Sequence, residues 1–176
     1  MSGREGKPLV GILMGSDSDW ETMSAAAERL AAWEIPYEVQ VLSAHRAPKA
    51  TAKYSESARR RGLQVIIAGA GGAAHLAGVL AASTTIPVIG VPVATSSLNG
   101  LDALLATVMM PAGIPVATVA IGRGGAENAA ILAAEILSLR QPALRQRLER
   151  YKAELVEGVE AKNLRLQRKL FPDRVE

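Results

Sequence analysis

Residues 63–101 read LQVIIAGAGGAAHLAGVLAASTTIPVIGVPVATSSLNGL and contain no Asp, Glu, Lys or Arg. On length and polarity alone such a run could cross a bilayer. Its punctuation points elsewhere. Gly69, Gly71, Gly72, Gly78, Pro87, Gly90 and Pro92 cut it into pieces of strand or helix length, the pattern of a parallel sheet buried on both faces. Extending the window to residues 65–122 adds one formal charge, Asp102. A domain of 176 residues exposes too much surface to hide so long an uncharged segment within itself, so this midsection predicts a large apolar interface between subunits.

Working outward, short runs rich in Val, Ile and Leu at 9–14, 38–42, 64–68, 87–91 and 115–121 predict five strands. Segments of helical composition at 18–33, 48–61, 73–83, 101–110 and 126–139 lie between and after them. Regular alternation of strand and helix implies a parallel sheet covered on both sides, joined by right-handed crossovers. The expected architecture is a three-layer α/β/α sandwich with five parallel strands. In the tail, Leu144, Leu148, Tyr151 and Leu155 recur at helical spacing among charges of both signs, which predicts an amphipathic helix. One domain is expected over 1–176, with a core at about 8–140 and a helical extension at about 141–170.

Composition narrows the chemistry. The chain has no cysteine and two histidines, His45 and His75, which excludes a disulfide scaffold and cysteine-based zinc or redox sites and leaves few ligands for a transition metal. No metal is expected. Sixteen glycines against six aromatic residues argue against a nucleic-acid surface built on stacking. Nor does charge favour nucleic acid: of the net +3, residues 140–176 supply ten basic and six acidic groups, leaving a nearly neutral body. The first seven residues carry both signs of charge and no apolar core, unlike a signal peptide, so the cytoplasm is the expected compartment and no membrane partner is expected.

In an open parallel sheet, ligands bind beyond the carboxyl ends of the strands, where strand order reverses. Three loops there are chemically loaded. After the first strand stand Gly15-Ser16-Asp17-Ser18-Asp19-Trp20; their hydroxyls and carboxylates can cap the next helix, or bind phosphate and ribose. The spacing departs from both the dinucleotide fingerprint and the P-loop. After the second stand Ser43-Ala44-His45-Arg46-Ala47-Pro48, where a guanidinium fork for phosphate adjoins the one side chain that exchanges protons near neutral pH. After the third stand Ala68-Gly69-Ala70-Gly71-Gly72-Ala73-Ala74-His75-Leu76. Small residues there let main-chain groups reach a flat ligand, or let helix pack on sheet. His75 is compatible with a core histidine or a site residue. The loops at 94–100 and 111–113 are expected to line the pocket or the interface.

These motifs, in this order, together with Pro-Ala-Gly-Ile-Pro-Val-Ala-Thr-Val at 111–119, closely resemble the N5-carboxyaminoimidazole ribonucleotide mutase family of purine biosynthesis, over about residues 8–140. The resemblance implies a flavodoxin-like sandwich assembled as a homo-octamer, with the C-terminal helix reaching onto a neighbour. It implies an isomerase that moves a carboxyl group from the exocyclic nitrogen of an aminoimidazole ribonucleotide to the adjacent ring carbon, with no ATP, metal, biotin or other cofactor. By the same resemblance, Ser16, Ser18 and Asp19 bind substrate, Asp19 taking ribose hydroxyls. Ser43 and Arg46 hold phosphate, Ala70 and Gly71 meet the imidazole, His75 borders the site and His45 carries the proton. Two other readings fit the same loops: a carboxylase using free carbon dioxide, and a non-catalytic nucleotide-binding module.

Overall fold

The computed structural model describes residues 6–172. The chain runs β1 (Val10–Met14), a 3-10 turn (Asp17–Asp19), α1 (Trp20–Ala32), β2 (Tyr37–Val41), α2 (Pro48–Arg61), β3 (Val65–Gly71), α3 (Leu76–Ala82), β4 (Val88–Val93), α4 (Leu101–Val108), β5 (Ala117–Thr118), α5 (Arg123–Ser138) and α6 (Pro142–Leu170). All four strand pairings are parallel, in the order β2-β1-β3-β4-β5. That is the flavodoxin-like order, and its reversal lies between β1 and β3.

Burial follows position in the sheet. Every residue of β1 and of β4 is buried, because a central parallel strand is covered on both faces. At the edge, β2 carries the polar Glu38 and Gln40 and is only half-buried. Ile66 and Ala68 of β3 pack in one cluster with Tyr54 and Ala58 of α2 and Leu76 and Leu80 of α3. On the opposite face Gly69 lies under Met23 of α1, where an added Cβ would collide with the thioether. Helices therefore cover both sides. Across the outer surface α1 and α5 are tied by the ion pairs Arg29–Glu127 and Arg123–Glu28.

The boundaries depart most from the sequence reading in three places. β3 continues to Gly71 and α3 starts at Leu76, because Gly69, Ala70 and Gly71 of the expected loop extend the ladder, with Gly71 aligned to Val93, while Ala73 and Ala74 precede the helix. β5 shrinks to two residues, although the N–H of Val119 still donates to Gly90 at 3.1 Å. α5 begins at Arg123 and takes two glycines into its first turn.

Packing divides the chain into two compact units, one through Ile136 and one from Leu137 onward. The second is dominated by α6, whose Leu144 and Leu148 are buried and whose Leu155, Val159, Leu166 and Leu170 are exposed. Among the described residues no helix is long and apolar enough to cross a membrane.

Candidate active site

The first three strands end in loops that surround a cleft of about 200 Å³. It sits where the strand order reverses. Ser16, Ser18 and Asp19 come from the β1 loop, Ser43, His45 and Arg46 from the β2 loop, and Ala70, Gly71 and His75 from the end of β3 and the approach to α3. All nine residues singled out in the sequence thus border one cavity.

The β1 loop is built as a cap. The N–H of Ser16 donates to Oδ2 of Asp19 at 3.1 Å, and Oγ of Ser16 accepts from the N–H of Ser18 at 3.4 Å. This reciprocal pairing satisfies donors that the start of a helix leaves open. Capping therefore does occur here, and it occupies one carboxylate oxygen of Asp19. Burial raises the Asp19 carboxyl above its ordinary value, against the opposing pull of the Ser16 and Gly15 backbone N–H groups and of Arg46.

On the β2 loop, Pro48 opens α2 at its first turn, a position that needs no N–H. Just before it, the N–H of Arg46 donates to Oγ of Ser43 at 3.2 Å, and that of Ala47 to the Ser43 carbonyl at 2.9 Å. This tight turn presents His45 and Arg46 side by side, both exposed. Nη2 of Arg46 bonds the Gly15 carbonyl at 3.0 Å. His45 meets His75 ring to ring, Nε2 to Nδ1 at 2.8 Å.

On the third side, Gly71 allows a close approach from the segment that follows β4. A Cβ there would overlap the Thr95 hydroxyl. Thr95 also lines the cleft, as do Gly15, Ala44, Ala73 and Leu76, none of which the sequence reading selected individually. Thr95 lay within a loop expected to border the pocket, but nothing local separates it from its neighbours Ser96 and Ser97; the register of β4 against β3 does. Among the described residues no group of three or more His, Asp or Glu side chains could hold a metal ion.

The cleft thus joins an anion fork, a carboxylate, hydroxyls, a small-residue wall and an imidazole pair, a combination suited to a sugar phosphate bearing a flat ring. The family model described as AIR carboxylase matches residues 9–157. The chain belongs to the AIR carboxylase family. Within it, an N5-carboxyaminoimidazole ribonucleotide mutase of Mycobacterium tuberculosis (strain ATCC 25618 / H37Rv) is 56% identical over 162 residues, covering 92% of each chain. The enzyme of the same name from Bacillus subtilis (strain 168) is 58% identical over 143 residues, 81% of this chain and 88% of that one. The crystal structure of Treponema denticola PurE superposes with a TM-score of 0.81 at 29% identity, over 92% of this chain and 99% of that chain. Members of the AIR carboxylase family named as mutases are thus more than half identical to this chain across most of its length.

Proposed function

We infer that this chain is an N5-carboxyaminoimidazole ribonucleotide mutase, an isomerase of purine biosynthesis that yields 4-carboxyaminoimidazole ribonucleotide. The observation that carries this reading is the meeting of Arg46, His45 and the Ala70-Gly71 wall around one cleft, in a chain 56% identical to a protein of that name. Ser43 and Arg46 hold the phosphate. Ser16, Ser18 and Asp19 take the ribose and its neighbourhood, while Ala70, Gly71 and His75 border the imidazole.

The reaction rearranges bonds without net gain or loss of atoms. The carbamate C–N bond breaks, its electron pair stays on nitrogen, and that nitrogen takes a proton. The neighbouring ring carbon attacks the released carbon dioxide, forming the new C–C bond. His45 then removes the proton from that carbon, restoring the aromatic ring. One proton enters and one leaves, so a single imidazole can serve both ends. Holding the gas beside the carbon gives it a high effective concentration, and positioned proton transfer contributes about 10²- to 10⁴-fold in rate.

The proposal extends to assembly and location. We propose one domain with a C-terminal helical extension, acting as a homo-octamer in the cytoplasm. Leu101, Leu105 and Val108 form an exposed apolar stripe on α4, continued by Met109, which is 75% exposed. A stripe of that kind favours burial against a further subunit. Light scattering on purified protein gives the subunit number.

The decisive assay supplies the N-carboxylated ribonucleotide and follows the 4-carboxy product. Wild type turns over; His45→Asn binds the nucleotide but loses about 10²-fold or more in kcat. Wild type without turnover on this nucleotide contradicts the activity. Near-normal turnover of the variant contradicts the role of His45.

A further inference from the structure

Thr95 reaches the cleft from beyond the fourth strand, whereas the other described residues that line it belong to the ends and loops of β1, β2 and β3. β4 stops at Val93, which is aligned to Gly71. Two residues on, the N–H of Thr95 donates to the Val93 carbonyl at 3.1 Å, closing a tight turn. The Thr95 side chain lies against Gly71: a Cβ on that glycine would overlap Oγ1 and would stand 3.0 Å from the methyl group. The hydroxyl therefore sits at the wall of small residues.

That hydroxyl has no partner. Among the described residues it makes no hydrogen bond, whereas Oγ of the next residue, Ser96, accepts from the N–H of Leu98 at 3.2 Å and so serves the turn. Nearby side chains offer a ligand few polar atoms. Ala70, Gly71, Ala73 and Leu76 carry none, and the His75 ring is engaged with His45 at 2.8 Å. A single placed hydroxyl in such a wall fixes the orientation of whatever polar group comes to it.

Strand order indicates which group that is. In the sequence β2-β1-β3-β4, Arg46 and its carbonyl partner Gly15 lie on the β2 and β1 side, and Thr95 lies on the β3 and β4 side. A nucleotide whose phosphate meets Arg46 thus turns its ring toward Gly71 and Thr95. Both carboxylated nucleotides bear a second anion on that ring, the carbamate before transfer and the carboxylate after it. With Arg46 on the phosphate, no further arginine and no lysine among the described residues lines the cleft, so the second anion depends on hydrogen-bond donors.

Resting on the functional reading above, we propose that Thr95 binds the migrating carboxyl group, its hydroxyl donating to a carboxylate oxygen, so that the site distinguishes the carboxylated nucleotides from the same nucleotide without carbon dioxide. The exocyclic nitrogen and the ring carbon that exchange the group lie close together, and a hydroxyl turns freely about its C–O bond. One donor therefore serves both ends of the path.

The test pairs Thr95→Val, which keeps the shape and removes the hydroxyl, with Thr95→Ser, which keeps the hydroxyl. Calorimetry measures the affinity of each for the 4-carboxy product and for aminoimidazole ribonucleotide, which lacks the carboxyl group. In Thr95→Val, product affinity is expected to fall about 10- to 100-fold, as for loss of a hydrogen bond to a charged group. Affinity for the decarboxylated nucleotide should stay within about threefold of wild type, and Thr95→Ser should stay within about threefold for both ligands. Wild-type product affinity in Thr95→Val overturns the proposal. So does an equal loss toward both nucleotides, which would make Thr95 part of the wall alone, and so does a Thr95→Ser that loses as much as Thr95→Val. A wild type that binds neither nucleotide overturns the functional reading and this inference with it, whereas a wild type that binds the product beside an indifferent Thr95→Val overturns the inference alone.

Discussion

Arg46 reaches from the β2 loop to Gly15 on the β1 loop, Nη2 donating to the Gly15 carbonyl at 3.0 Å while Nε donates to Oγ of Ser43 at 3.4 Å. The guanidinium therefore joins two of the loops that form the cleft, and it is held in place before any anion arrives. Preorganised charge of this kind binds phosphate without first ordering a flexible side chain.

Arg46→Lys keeps the charge but loses the planar fork. Since a charge-assisted hydrogen bond contributes about 1.5–3 kcal/mol, KM for the ribonucleotide should rise about 10- to 100-fold. Steady-state kinetics checks this, and an unchanged KM would show that Arg46 does not hold the phosphate.

Asp19 links stability to pH. Its folded-state value lies above the ordinary 3.8 because of burial, against the pull of nearby backbone N–H groups and Arg46. Just above 3.8 the folded chain keeps a proton that the unfolded chain has released, so stability declines as pH rises through the folded value. At neutral pH the buried charge carries that cost in full. Asp19→Asn should raise Tm at pH 7, with the gain vanishing below pH 3.8, and should weaken nucleotide binding. A lower Tm at pH 7 would mean that the attraction to Arg46 outweighs desolvation.

Gly71 and Thr95 should be coupled. The Cβ of Gly71→Ala would overlap the Thr95 hydroxyl at the wall of the cleft, so the single variant is expected to lose activity. Adding Thr95→Ala removes the hydroxyl and methyl, leaving only the Cβ of residue 95 at 2.9 Å, and should return at least about 1 kcal/mol of the stability lost by the single change, seen as non-additivity in urea unfolding. Strict additivity would place the two side chains apart.

Gly125 has a backbone reason. A Cβ there would meet the carbonyl carbon and oxygen of Ala120, atoms that cannot rotate aside. Gly125→Ala should destabilise the fold by about 3 kcal/mol or more, measured by chemical denaturation. A neutral substitution would contradict the close approach of α5 to the segment before it.

The same position explains what the sequence concealed. Gly124 and Gly125 argue against helix on propensity, yet α5 starts at Arg123, and Gly125 is required there because a Cβ would strike the Ala120 carbonyl in the segment just before the helix, a steric requirement that propensity does not carry. The expected fifth strand is longer than β5 because Val and Ile within 115–121 look strand-like, whereas only Ala117 and Thr118 pair with β4. The central strands were legible since burial on both faces leaves an unbroken apolar run, as in β1. In the cleft, the three loops were legible because each follows such a run. The His45–His75 contact was not, because it depends on which loops the strand order brings together across β1.

Whether the carboxyl group migrates within the cleft without exchanging with solvent can be measured directly. Wild-type enzyme is given ribonucleotide labelled with ¹³C in its carbamate, in buffer containing unlabelled bicarbonate, and the label in the 4-carboxy product is read by mass spectrometry. Retention of most of the label is the expected result. Product carrying carbon from the buffer, in proportion to the bicarbonate present, would contradict a mutase and identify a carboxylase that draws on free carbon dioxide.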